Sequence, residues 1–244
     1  LGASTDTAGG LSGTGLVFLE DGALTIGGAG LSGSPTISLG NGRLTVASAA
    51  TTDFGGSISG AGGLSHSGGG SLTLNTAQSF SGPLRVSSGS LLLGGLDLLS
   101  SAPAVGLGGG SFGFSAGLTG PGSVSLGLLT ISGDSVLQFP SSATIPSTFS
   151  FTAGSTLAWD GQLRVTNFTS GLDSLRFGTS AAGLTAQQLG RIMFEIDGAL
   201  VGAQISANGF VTPSAIPEPS TTVLLAASAV LAVAVLLRRR RQRG

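Results

Sequence analysis

Residues 59–91 read SGAGGLSHSGGGSLTLNTAQSFSGPLRVSSGSL. In this stretch, short runs of alternating apolar residues such as LTL and LRV are separated by glycine-rich turns. A run of four or five residues with its apolar side chains on one face is typical of a short β-strand. Such a strand cannot bury its apolar face alone, so the stretch predicts strands covered by neighbouring copies of the same unit.

Related units recur along the chain, each with Gly, a small or variable residue, an aliphatic residue and then alternating apolar positions. They are DGALTIGG at 21–28, NGRLTVAS at 41–48, GGSLTLNT at 69–76, SGSLLLGG at 88–95, and more weakly GGSFGFSA at 109–116, PGSVSLGL at 121–128 and AGSTLAWD at 153–160. The lead residues Leu24, Leu44, Leu72 and Leu91 are 20, 28 and 19 positions apart. This spacing favours stacked coils, with aliphatic residues inside, Ser and Thr outside, and Gly at corners that need a positive φ.

The predicted fold class is therefore all-β, with a parallel β-helix or related β-solenoid over residues 1–150. An antiparallel sandwich and a disordered chain remain as alternatives. Disorder requires low hydrophobicity and usually a high net charge. This chain is 41% hydrophobic and 9% charged, which argues against disorder.

Composition excludes several classes of function. The chain has no Cys and one His, which excludes a disulfide scaffold and argues against a zinc site or a Ser-His-Asp triad. Residues 1–217 carry a net charge of −5, whereas the last seven residues carry +5. The body thus lacks the basic face of a nucleic-acid-binding protein, and we predict no nucleic-acid partner, no metal and no cofactor.

The stretch 59–91 resembles the autotransporter-associated β-strand repeat. His66 stands where that family usually has Lys, and Pro83 stands where Thr is common. The resemblance implies a right-handed β-helical body like that of an autotransporter passenger. The positions that match are Gly60, Gly63, Leu64, Gly68, Gly70, Leu72, Leu74, Phe80, Gly82, Val86, Gly89 and Leu91.

Residues 151–213 differ from the repeat because Gly becomes less frequent. Asp160-Gly161 lies between LAW and QLRV, which predicts a β-hairpin. Thr185, with Gln188 three residues later, predicts the N-cap and capping box of a short helix.

The segment RIMFEIDG at 191–198 alternates apolar and polar positions and predicts a further strand. DSLRFG at 173–178 and GLTAQQL at 183–189 resemble the closing module of bacterial surface proteins of the same repeat class. We therefore expect residues 151–213 to form a cap, which would protect the edge strands of the last coil.

The C-terminal region predicts a membrane anchor. Within 220–237, the fifteen residues from Val223 to Leu237 include Ser228 as their one polar residue. An eighteen-residue helix is about 27 Å long, close to the thickness of the hydrocarbon core. A buried core helix is the alternative, but the four Arg that follow would be hard to bury. In the basic tail 238–244, Arg238, Arg239, Arg240 and Arg241 would stop transfer and keep the tail cytoplasmic, with the body on the other side.

Pro217, Glu218 and Pro219, in the linker 214–219, precede this span and the basic tail. Together the three parts resemble the PEP-CTERM sorting signal. The resemblance implies recognition by exosortase, removal of the anchor, and release or attachment at the surface of a Gram-negative, exopolysaccharide-producing bacterium. In the alternative interpretation, Pro-Glu-Pro is a stiff linker and the anchor is retained. The sequence begins at Leu1, and we expect an upstream signal peptide.

Candidate catalytic groups are sparse. Glu195 and Asp197 form one close acidic pair, which we interpret as a solvated strand face, and His66 is expected to be exposed in a turn. GLGGGSFG at 106–113 lacks the strand–loop–helix context of a phosphate-binding loop. We predict no catalytic, cofactor-binding or metal-binding residues.

The sequence thus predicts a noncatalytic cell-surface or extracellular-matrix protein with a structural or adhesive role. Its predicted partners are exosortase, the membrane through 220–237, and exopolysaccharide or envelope glycans. The alternative is a β-helical carbohydrate-binding or carbohydrate-active protein.

Overall fold

The computed structural model describes residues 5–95, 97–118, 120–142 and 144–214. About half of the chain is β-strand, and the strands form a β-solenoid of about seven turns. The predicted all-β solenoid is confirmed. The antiparallel sandwich and the disordered chain are wrong for this part of the protein.

The first twelve strands, in chain order, are β1 (Thr5–Leu11), β2 (Leu16–Phe18), β3 (Ala23–Leu31), β4 (Thr36–Ser38), β5 (Arg43–Val46), β6 (Thr52–Phe54), β7 (Ser57–Gly60), β8 (Gly63–His66), β9 (Ser71–Leu74), β10 (Ser79–Phe80), β11 (Leu84–Val86) and β12 (Ser90–Leu93). They are followed by β13 (Val105–Gly108), β14 (Ser111–Phe114), β15 (Gly122–Leu126), β16 (Leu129–Gly133), β17 (Ser135–Gln138), β18 (Ser147–Phe151), β19 (Leu163–Thr166) and β20 (Ser174–Phe177). After a 3-10 turn (Ala181–Gly183) and the helix α1 (Ala186–Leu189) come β21 (Ile192–Ile196), β22 (Ala199–Ile205) and β23 (Phe210–Pro213).

Each complete coil, such as β8–β9–β10, contributes one strand to each of three parallel sheets. Sheet 1 has the order β1-β3-β5-β8-β11-β13-β16, and sheet 2 has the order β6-β9-β12-β14-β17-β19-β21. Sheet 3 consists of β2-β4-β7-β10 and, in the later coils, β15-β18-β20. Successive strands of one sheet belong to successive coils, as a solenoid requires.

In-register parallel pairing places equivalent residues in columns inside the coils. Leu24, Leu44, Leu64 and Leu84 are Cα partners on adjacent strands of sheet 1, at a constant spacing of 20 residues, and all four are buried. The gap of 28 between Leu44 and Leu72 arises because Leu72 belongs to sheet 2, where its partner is Thr52. The series of lead residues from Leu24 to Leu91 therefore combines residues from two different columns.

The coils lengthen toward the C-terminus, and larger side chains fill them. Partners in sheet 2 are 19 residues apart at Leu72 and Leu91 but 28 apart at Leu137 and Val165. A longer coil encloses more interior, which must be filled to native packing density. Buried Phe rings fill it, with neighbouring centroids from 4.6 to 6.4 Å apart; they belong to Phe112, Phe114, Phe139, Phe149, Phe151, Phe168, Phe177 and Phe194.

Glycines stack at one corner of the early coils. A Cβ on Gly42, Gly62 or Gly82 would lie 2.2, 1.9 or 2.4 Å from the carbonyl oxygen one coil away. The predicted reason for corner glycines, a positive φ, holds at Gly40, where φ is 56°. Gly42, Gly62 and Gly82 do not have a positive φ; glycine is required there because the backbones of adjacent coils approach closely.

At the C-terminal end, antiparallel strands cover the edges of two sheets. β22 pairs with β21, the last strand of sheet 2, and β23 pairs with both β22 and β20, the last strand of sheet 3. Asp197 and Gly198 join β21 to β22 with φ values of 49° and 80°, as a two-residue type I′ turn requires. The predicted capping box of Thr185 and Gln188 is confirmed at α1.

Two local predictions within 151–213 are wrong. Asp160-Gly161 does not form a hairpin, because β19 pairs in parallel with β17 and β21. AGSTLAWD at 153–160 is not a strand; Trp159 is buried there and its Nε1 donates to the Leu129 carbonyl at 3.1 Å. Parallel pairing continues through β21, so antiparallel pairing begins only at β22.

Among the residues that the structure describes, no helix is both long and apolar enough to cross a membrane. The predicted span 220–237 and the basic tail 238–244 lie outside those residues, as does all of the linker except Ser214.

Replacing Gly62 by Ala tests the stacked corner. We expect Gly62→Ala to lower the free energy of unfolding by about 1–3 kcal/mol, the usual effect of overpacking, because its Cβ meets backbone that cannot move aside. Gly69→Ala is the matched control: no atom lies within 4 Å of its Cβ position, so stability should stay equal or rise by about 0.4–1 kcal/mol. Urea unfolding measures both, and equal effects of the two substitutions would contradict the close-approach argument.

Candidate functional site

The predicted sorting and stop-transfer residues lie outside the described part of the chain. They are Pro217, Glu218, Pro219, Arg238, Arg239, Arg240 and Arg241. Their assignment stays a prediction.

His66 is not exposed in a turn, so that prediction is wrong. Its side chain points into the solenoid from β8, in the column between Val46 and Val86, and is 1% exposed. Nε2 lies 3.1 Å from the Gly70 carbonyl, which can only accept, so Nε2 carries the proton. Nδ1 is buried and has no hydrogen-bond partner in the structure described.

The environment of His66 favours the neutral imidazole. Burial lowers the pKa of His66 from its ordinary value, and the hydrogen bond to Gly70 opposes this only in part. An imidazole enclosed by aliphatic residues cannot reach a substrate in solvent. His66 is therefore a structural residue of the core.

A polar groove of about 560 Å³ lies at the corner that follows sheet 2. Three successive coils form it, through the ends of β17, β19 and β21 and the connections that follow them. We call it the polar groove; it is lined by Gln138, Ser141, Thr166, Asn167, Phe168, Thr169, Glu195, Ile196, Asp197 and Gly198.

Two amide side chains of the polar groove are held by the coils beneath them. Gln138 Nε2 donates to the Phe114 carbonyl at 3.1 Å, and Asn167 Nδ2 donates to the Phe139 carbonyl at 3.2 Å. Each bond reaches back one coil and uses an N–H of the amide. The amide oxygens remain as acceptors for a ligand.

Asp173 fixes the connection between β19 and β20. Its carboxylate accepts from the Ser147 N–H at 3.0 Å and from the Thr169 N–H at 2.8 Å. Burial raises the pKa of Asp173, and the two hydrogen bonds oppose that shift. Asp173 thereby holds Thr169 in the wall of the groove.

The acidic pair lies on this groove. Glu195 Oε2 is 3.5 Å from Arg164 Nε, and both side chains are well exposed, at 38% and 53%. An exposed ion pair of this kind contributes at most about 1 kcal/mol. Asp197 lies in the exposed turn. The pair is thus solvated, as predicted, but it also lines a concave surface, which alternation along one strand could not reveal.

Other candidate sites are not supported. No group of three or more His, Cys, Asp or Glu in the described residues could hold a metal ion. Residues 106–113 run from β13 through the short connection 109–110 into β14, so the glycine-rich run joins two strands and precedes no helix.

The fold and the site together define a β-solenoid with an open polar groove near one end. Comparison of the chain with family models, with curated proteins and with solved structures finds no match.

The burial of His66 predicts a pH-dependent stability. Because its pKa is lower in the folded than in the unfolded protein, the unfolded chain takes up the proton first. The stabilisation is fully present above about pH 6.5 and is lost as the pH falls below that value. His66→Val, which copies the neighbouring residues of its column, should remove this slope.

Urea unfolding of both proteins between pH 5 and 8 measures the difference. Asp173 titrates with the opposite sign, since its pKa is raised, but it is present in both proteins and cancels in the comparison. Identical pH slopes for wild type and His66→Val would show that the imidazole stays accessible to protons.

Proposed function

We propose that this chain is a noncatalytic cell-surface or extracellular-matrix protein, sorted by a C-terminal PEP-CTERM-type signal. The observation that carries the proposal is the order Pro-Glu-Pro, apolar span and Arg cluster over 217–241. Exosortase is the proposed processing enzyme. The precursor would be anchored through 220–237 with its body outside the cytoplasm.

The body suits a structural or adhesive role. About seven turns at a strand spacing of about 4.8 Å give a rod of roughly 34 Å. In such a fold each coil is stabilised by its neighbours, so length can be gained without a new core. The sparse charge, a net −5 over residues 1–217, and the outward Ser and Thr residues leave a polar, weakly acidic surface, compatible with a polysaccharide matrix.

A noncatalytic role is also supported by where the charged groups lie. Carbohydrate-cleaving enzymes place two carboxylates about the bond that is broken. Here Glu195 pairs with Arg164, and Asp197 lies in a solvated turn. Neither carboxyl group lies in the buried, apolar setting that is typical of a general acid.

The second candidate function is carbohydrate binding, and the polar groove favours it. The groove combines carboxylates, amide oxygens and hydroxyl groups on a rigid corner, which suits a polyhydroxyl ligand. The two functions are compatible, because a matrix protein can hold glycans.

Mass spectrometry of the mature C-terminus tests the sorting proposal. In envelope and medium fractions of the native host we expect a terminus near Pro219, with no peptide recovered from 238–244. A variant with Ala at 217–219 should retain the tail, because the recognition sequence is gone. An intact tail on the wild-type protein in the membrane fraction would mean that 220–237 is a permanent anchor.

A further inference from the structure

We propose that the polar groove binds a saccharide unit that is uncharged or carries an amino group. The inference gives the carbohydrate-binding candidate function a site and a ligand class. It does not depend on the sorting proposal. A volume of about 560 Å³ lies within the range of about 300–1,000 Å³ usual for small-ligand sites.

The hydrogen-bonding groups of the groove are mainly acceptors. Glu195 and Asp197 are carboxylates, and Gln138 and Asn167 each have one amide N–H committed to a backbone carbonyl. A ligand that supplies donors therefore fits the acceptors of the groove. Sugar hydroxyl groups are donors spaced along a ring, and their bonds to carboxylates are charge-assisted and strong.

The charge of the groove selects among saccharides. Both charged residues that line it are acidic. The nearby guanidinium, that of Arg164, already faces the Glu195 carboxylate at 3.5 Å. A uronic acid would bring a third carboxylate to this surface and be repelled, whereas an ammonium group would be attracted.

The groove is built before any ligand arrives. The Asp197-Gly198 turn is fixed by the pairing of Ile196 with Ala199, and Asp173 anchors the wall at Thr169. The two amides are held by the coils beneath. Fixed side chains lose little freedom on binding, which is what allows a shallow site to bind a flexible glycan.

Isothermal titration calorimetry on the full chain in detergent tests the proposal with three tetrasaccharides. The probes are a glucosamine tetramer, cellotetraose and a galacturonate tetramer. We expect the glucosamine tetramer to bind most tightly, cellotetraose next, and the galacturonate tetramer not measurably. Glu195→Gln and Asp197→Asn should each weaken the glucosamine tetramer by about tenfold, the effect of losing one charged hydrogen bond.

Asp53→Asn is the matched control, because Asp53 is an exposed carboxylate on the outer face of sheet 2 but belongs to β6, at the other end of that sheet. It should bind as wild type does. Ser141→Phe fills the groove without changing its charge and should abolish binding of both neutral and amino sugars, while thermal unfolding confirms that it is folded.

Three results would overturn the proposal. The first is that neither the glucosamine tetramer nor cellotetraose binds at millimolar concentration, and the second is that the galacturonate tetramer binds as tightly as the glucosamine tetramer. The third is wild-type affinity in the Glu195, Asp197 and Ser141 variants. None of these bears on where the C-terminus is cut, so the sorting proposal stands or fails separately.

Discussion

The close approach of stacked backbones is the constraint on which this structure depends. Coils repeat at the spacing of hydrogen-bonded strands, about 4.8 Å. Along a strand, the pleat turns each side chain inward or outward, and the spacing is easily met. At a stacked corner a side chain would point at the backbone of the adjacent coil, and a Cβ on Gly62 would lie 1.9 Å from the Gly42 carbonyl oxygen. Much of the glycine in this chain therefore serves rigid stacking rather than flexibility.

The same stacking decides how polar groups survive inside the solenoid. Gln78 is fully buried, yet its Oε1 accepts from Ile58 N–H and its Nε2 donates to the Gly56 and Thr76 carbonyls. Gln78 thereby supplies hydrogen-bond partners to backbone groups of this corner. His66 meets this condition only on one side, through Gly70. This difference explains why Gln78 stabilises its corner, whereas the stability that depends on His66 falls at low pH.

Strands and inward positions could be predicted from sequence, because alternation is a local property; six of the seven repeat units coincide with a strand. The sheet to which each strand belongs could not be predicted, because it depends on the length of the coil. Two of the three Asp-Gly pairs, 160–161 and 197–198, show the limit of prediction from sequence. Gly198 has open space around it and makes a hairpin turn, whereas a Cβ on Gly161 would lie 2.1 Å from the Gly133 backbone, at a stacked corner. Nothing in the dipeptide distinguishes the two settings.

The polar groove escaped prediction for a related reason. In the early coils, which repeat strictly every 20 residues, each coil covers the corner of the one before it, and the concavity there is only about 250 Å³. Here the connections after sheet 2 differ in length: 139–146 and 167–173 are followed by the two-residue turn 197–198. The short turn leaves the corner at 167–169 uncovered, so that residues of three coils face one space. The larger of these two concavities thus lies where the repeat changes length, because a short turn does not cover the longer connection before it.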